Sequence, residues 1–113
     1  MKAFTDLEQS KRLAEILPLE SADAYYTVID QGFFLEVKQG IEPSKEDIPC
    51  WSLAVLLDVL PEGVIENYYV PNLQKENGKY SIAYGNEELL CVADNPLDAC
   101  VAMIENLHEL KML

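Results

Sequence analysis

Positive charge is the scarcest thing in this sequence. Eight Lys plus Arg stand against 20 Asp plus Glu, for a formal net charge of -12 over 113 residues. Nucleic-acid backbones repel such a surface, because binding there requires Lys and Arg to displace condensed counterions. Lys11 and Arg12 are the only adjacent cations, and no Lys or Arg occurs between Tyr80 and Leu110. Direct DNA or RNA binding is therefore not expected. Histidine is nearly absent too: His108 stands alone. One histidine and three scattered cysteines do not complete a tetrahedral zinc site of the usual kinds without carboxylates. There is no P-loop, G-x-G-x-x-G, HExxH or G-x-S-x-G. No catalytic residue, cofactor or metal is predicted.

Cys50, Cys91 and Cys100 are odd in number and form no CxxC. The N-terminal MKAFTDLEQS lacks the apolar stretch of a signal peptide, and the longest apolar run, Leu53–Leu57, is too short to cross a bilayer. A reducing cytoplasmic location with three free thiols is the expectation.

What is present fits one domain over residues 1–113, since half the residues are hydrophobic and a quarter charged. Thr5 and Glu8 read as a capping box opening a first helix, with Leu7, Leu13, Ala14 and Leu17 on one face and Pro18 as its stop. Tyr25–Ile29 reads as extended. Phe33, Leu35 and Val37 alternate with Phe34, Glu36 and Lys38, the pattern of a half-buried strand. Residues 39–49 read as a loop. In DIPCWSLAVLLDVLP, Ser52 is a suitable N-cap, Leu53–Leu60 a short helix, and Pro61 and Gly63 its end. Only Asp58 is charged there, so burial on more than one side is predicted, with Trp51 seating the helix against a sheet. From Val64 to Ala93 the pattern is β, with a hairpin turn at Glu76-Asn77-Gly78 and a second turn at Gly85-Asn86. Asn95 then caps a last helix with Pro96 at its first position and Asp98 in its first turn. Leu97, Cys100, Val101, Ile104 and Leu107 share its apolar face. The predicted fold class is α+β: a three- or four-stranded antiparallel meander packed by two or three helices.

Three constellations have residue types that can carry chemistry. Cys50 stands near a helix N-terminus, where a thiol can be activated if a histidine assists, and only His108 could. Cysteine more often behaves as a small buried hydrophobe, and burial is the expectation here. His108 projects beside the apolar face of the last helix, as a packed residue or a cation serving the last-turn carbonyls. Asp98, Glu105 and Glu109 share a helix face, but Asp98 and Glu105 lie about 10 Å apart by helix rise, too far to hold one ion. They read as a solvated face.

The aromatic pairs Tyr25-Tyr26, Phe33-Phe34 and Tyr68-Tyr69 carry a different implication. Neighbours in a strand point to opposite faces, so one member of each pair can be outside. Exposed aromatics are common where proteins meet. The candidate interaction surface is therefore Tyr25, Tyr26, Phe34, Tyr68, Tyr69, Glu105 and Glu109, facing an unknown protein partner or a second copy in a homodimer. Two further readings compete. One is an acidic inhibitor that imitates nucleic acid before a DNA-binding enzyme, and the other, weaker, a small cysteine-dependent enzyme.

The segments KRLAEILPLESADAYY, IPCWSLAVLLDVLP and ADNPLDACVAMIENLHELKML resemble a group of small uncharacterised proteins of gut Bacteroidetes genomes, their prophages and other mobile elements. W-S-L-x-x-L-L-x-x-L-P, from Trp51 to Pro61, and D-N-P-x-D-A-C, from Asp94 to Cys100, are the most specific shared features. The resemblance implies a source and carries no catalytic residues.

Overall fold

The computed structural model describes residues 2–29, 32–37, 44–62, 70–85 and 89–113. Its described elements run α1 (Leu7–Leu13), a 3₁₀ turn (Leu19–Ser21), β1 (Ala24–Ile29), β2 (Gly32–Val37), β3 (Ile48–Cys50), α2 (Leu53–Val59), β4 (Asn72–Glu76), β5 (Lys79–Tyr84), β6 (Leu89–Ala93) and α3 (Pro96–Glu109). The α+β class is as the sequence indicates. The strands form two antiparallel three-stranded sheets, ordered β2-β1-β3 and β4-β5-β6.

The second sheet is the meander read from the sequence. Asn77 and Gly78 both take positive φ, 52° and 75°, which is what a two-residue hairpin turn between twisted strands requires. Leu73, Ile82 and Cys91 stand in register and so share a face. Alternation along β5 puts Tyr84 on that face as well, and Ile82 and Tyr84 are fully buried. Helix α3 packs against this sheet at β5 and β6.

α3 is built by its ends. The Asn95 side chain accepts from the Asp98 backbone N–H at 2.8 Å, and Pro96 follows where a missing N–H costs nothing. At the other end Lys111 turns left-handed at φ 60°, and the N–H groups of Lys111 and Met112 return to the carbonyls of His108 and Leu107. That double closure is a Schellman ending. Leu97, Cys100, Ile104 and Leu107 are fully buried, as is Met103, which helical projection puts at the edge of the apolar face.

α2 starts where expected, with Ser52 Oγ accepting from the Val55 N–H. Leu56 and Leu60 are buried in the main core, while Leu53, Val55, Leu57 and Val59 pack against it more loosely. Ala54 and Asp58, one turn apart, make the exposed strip. The chain thus covers this apolar helix by itself, and no second subunit is needed there. The expected helix stop at Gly63 lies outside the described residues.

The first helix begins one residue later than its sequence suggests. Asp6, not Thr5, is the N-cap: its carboxylate accepts from the Gln9 N–H at 2.8 Å, and Gln9 Oε1 accepts from the Asp6 N–H at 3.0 Å. The box is D-x-x-Q rather than T-x-x-E. Thr5 is released for a clasp with Trp51. The Thr5 N–H donates to the Trp51 carbonyl and the Trp51 N–H donates to Thr5 Oγ1. The Thr5 and Ser10 hydroxyls lie 2.8 Å apart, both fully buried. Trp51 Nε1 donates to Ser21 Oγ at 2.9 Å, and the Ser52 N–H donates to Asp23. Among the described residues no buried side-chain polar atom lacks a partner, as buried polar groups require. α1 also ends at Leu13, and the chain reaches Pro18 through turns.

The first sheet differs from the sequence reading in one strand. Residues 48–50 pair with Ala24–Tyr26 as β3, so Ile48 and Pro49 belong to a strand instead of the loop. β1 pairs along its whole length with β2, from Ala24↔Val37 to Ile29↔Gly32. β3 stops at Tyr26, so beyond that point the sheet is a two-stranded ribbon among the described residues.

Candidate interaction surface

No described side chain of β1 or β2 belongs to the main core. Alternation sorts their residues into two faces. Ala24 and Tyr26 of β1, Leu35 and Phe33 of β2, and Cys50 and Ile48 of β3 lie on one. Tyr25, Thr27, Phe34, Glu36 and Pro49 lie on the other. Near β3 the first face is closed: Ala24 and Cys50 are fully buried beside α1. Farther out both faces open. Phe33 is 44 % exposed, Phe34 54 % and Leu35 41 %.

The expected half-buried strand is therefore wrong for β2. Its alternation is real, but nothing described packs on either side of Phe33, Phe34 and Leu35, so all three meet solvent. β2 is also the edge of its sheet, with β1 on one side only among the described residues. An edge of this kind presents a row of unpaired N–H and C=O groups to an incoming strand. Natural edges are blunted with charge or proline, whereas Gly32–Val37 carries Glu36 alone.

The predicted surface residues do not all gather here. Phe34 does. Tyr25 is a correction: it is 7 % exposed, because it stands in the central strand between Glu36 and Pro49, and its hydroxyl points to Glu36 at 3.4 Å. Tyr26 is half-buried, its hydroxyl donating to the Thr5 carbonyl at 2.8 Å. That bond ties the sheet to the clasp and removes the hydroxyl from any surface role. Tyr68 and Tyr69 lie outside the described residues. Glu105 is half-buried and receives Nε and Nη2 of Arg12, each at 3.1 Å. Glu109 is exposed at the far end of α3, on a different element from the hairpin.

The acidic face of α3 is thus partly a docking strip for the N-terminal segment. Asp98 accepts from Lys2 at 2.9 Å and from Gln9 at 2.7 Å, and Lys2 also reaches Asp6 at 2.8 Å. Burial alone would raise the Asp98 carboxyl's pKa. Hydrogen bonds from Lys2, Gln9 and Asn95, with the Lys2 charge, outweigh it and hold the carboxyl below the usual range. Asp6 is lowered in the same way, against burial, by Gln9 and Lys2. A carboxylate with a depressed folded pKa contributes stability above its unfolded value and loses it as pH falls through the folded one. The melting temperature should therefore decline as pH is taken from about 5 to about 3, and Lys2→Met should make that decline shallower. An equally steep decline in the variant would contradict this account.

Cys50 is fully buried, and burial, reinforced by the Asp23 carboxylate, pushes its thiol up to about 12. Cys100 is likewise buried and raised to about 11, and the described cysteines form no disulfide. His108 is exposed rather than packed on the apolar face, with Nδ1 3.3 Å from the Leu113 carbonyl. Among the described residues no three His, Cys, Asp or Glu side chains come close enough to hold a metal ion. None of the described helices is long and apolar enough to cross a membrane.

Leu19, Val70, Leu110, Met112 and Leu113 are exposed too, and a further exposed pair, Leu90 and Val92, lies on the outer face of the second sheet. It borders a shallow depression of about 290 Å³ with Ser81, Glu76, Asn77 and Lys79. Lys79 pairs with Asp94 there. No protein-family model, curated protein or solved structure matches the chain.

Proposed function

We propose that this chain is a non-catalytic binding or accessory protein that engages a protein partner through the β1–β2 hairpin, with Phe33, Phe34 and Leu35 as its contact residues. The observation that carries the reading is their joint exposure, on both faces of a strand that is an edge among the described residues. Aromatic side chains give large contact area at low conformational cost, and interface centres are enriched in them and depleted of charge. The inert setting of Cys50 supports a role without covalent chemistry. The exposed carboxylates, from Glu15 and Glu20 through Glu36, Asp58 and Glu76 to Asp94 and Glu109, sit on different elements. That distribution favours a solvating role for the charge over imitation of a nucleic-acid strand. A cytoplasmic setting, and an origin in a Bacteroidetes genome or one of its mobile elements, belong to the same proposal.

The test is quantitative affinity purification with the chain as bait, in its native form and as Phe34→Glu. Leu90→Glu, with the same charge change on the other sheet, is the control. Loss of an interface hot spot typically costs 2 kcal/mol or more. A partner enriched by the native bait should therefore fall roughly thirtyfold or more with Phe34→Glu and stay with Leu90→Glu. Equal recovery with all three baits would remove the hairpin from the reading.

A further inference from the structure

We infer that the partner at this edge is a second copy of the chain, joined by antiparallel pairing of β2 with its counterpart about a two-fold axis. The inference rests on the hairpin being a binding surface and names its occupant. Three observations lead to it.

The first is the backbone. An edge of six residues can be satisfied along its length only by another extended strand with a free edge. Among the described residues β2 itself is such a strand, and a two-fold contact needs one surface that is complementary to itself. A two-fold axis perpendicular to the sheet keeps each face continuous and makes one six-stranded sheet from two three-stranded ones.

The second is the side-chain order. Centring the axis on Phe34 sets Phe34 opposite Phe34 of the second copy, Phe33 opposite Leu35, and Gly32 opposite Glu36. Phe33, Phe34 and Leu35 then all meet apolar neighbours across the junction. The two Glu36 carboxylates stand four residues apart along the strands, about 13 Å by strand rise. Moving the centre to Leu35 would bring them to roughly 8 Å as diagonal neighbours, with like charges facing each other. The sequence therefore selects the first register.

The third is charge. Two copies at -12 each repel one another over most of their surface. β2 carries one charged side chain, Glu36, so a like-charged copy meets little repulsion along this strand. The contact area sets the strength. Three exposed side chains and one strand edge per copy fall short of the roughly 1,200 Å² at which stable interfaces begin, so the dimer is weak and concentration-dependent.

Sedimentation velocity over about 1 µM to about 1 mM protein tests this. The dimer fraction should rise with concentration and also with added salt, which screens the repulsion between copies. Phe34→Glu, a substitution at an exposed site that leaves the circular dichroism unchanged, should abolish it. Phe34→Cys should give a disulfide-linked dimer on mild oxidation, because directly opposed strand residues have Cα atoms about 4.5–5.5 Å apart. Glu36→Cys, about 13 Å from its counterpart, should not. A monomer at every concentration with no Phe34→Cys cross-link overturns the inference, and so does a dimer that survives Phe34→Glu. If the monomer instead binds a different protein in a Phe34-dependent manner, the second copy falls and the hairpin reading stands. Should Phe34→Glu affect neither event, both fall.

Discussion

Replacing Trp51 with alanine is expected to remove about 3–5 kcal/mol of stability, the usual cost of deleting a large buried aromatic. A domain of this size holds roughly 5–15 kcal/mol in all, so the variant should lie at or near the edge of folding. Trp51 is fully buried where three parts of the chain meet. Its backbone is paired with Thr5 ahead of α1, its indole N–H is bound to Ser21 at the end of the 3₁₀ turn, and Ser52 beside it caps α2. Truncation leaves the backbone bonds but opens a void beneath all three. Trp51→Phe retains most of the apolar volume and loses only the hydrogen bond to Ser21, which should cost about 1 kcal/mol. Urea unfolding of both variants measures the difference. A Trp51→Ala protein within 1 kcal/mol of the parent, on the order of an ordinary surface change, would show that the clasp does not organise the fold.

The second large effect concerns reactivity. Native Cys50 should react with iodoacetamide at pH 7 about a thousandfold more slowly than the same cysteine in the unfolded chain. Moving the thiol from 9.0 to about 12 reduces the thiolate, which is the attacking species, by three powers of ten. Burial then blocks what remains, so labelling should follow transient opening of the fold. Cys91, only partly buried, supplies an internal comparison and should be labelled first. Mass spectrometry of a labelling time course separates the two sites. Cys50 labelled as fast as a free thiol would revive the nucleophile reading, because such a rate requires access and a thiol pKa no higher than the ordinary value.

What could be read in the sequence was whatever a local rule decides. Asn95-Pro96, Asn77-Gly78 and Ser52 fix their turns and caps by backbone chemistry within four residues, and each stands where that chemistry places it. The capping box failed locally for a reason seen only in the fold. Thr5 and Asp6 are both good N-caps, and the choice falls to Asp6 because Trp51, 46 residues away, takes the Thr5 hydroxyl. β3 was hidden because three residues, one of them proline, are too few to show a period. The acidic stripe on α3 looked fully solvated because the cations that meet it, Lys2 and Arg12, come from the other end of the chain.

The interaction surface was half legible for the same kind of reason. Alternation could say that Tyr25 and Tyr26, or Phe33 and Phe34, point in opposite directions. It could not say which layers exist to cover them. β3 flanks Tyr25 and stops short of the outer hairpin, so one aromatic is buried and the others are not. Leu35, a residue no sequence signal marks as exposed, joins them on that account.

Hydrogen–deuterium exchange along residues 32–37 tests the central claim, that β2 is an open edge used for binding. In dilute solution its outward amides should exchange far faster than those of Lys79–Tyr84, the central strand of the other sheet. At high protein concentration they should slow, while Lys79–Tyr84 stays unchanged. Protection of 32–37 equal to that of the central strand in the dilute monomer would contradict the account.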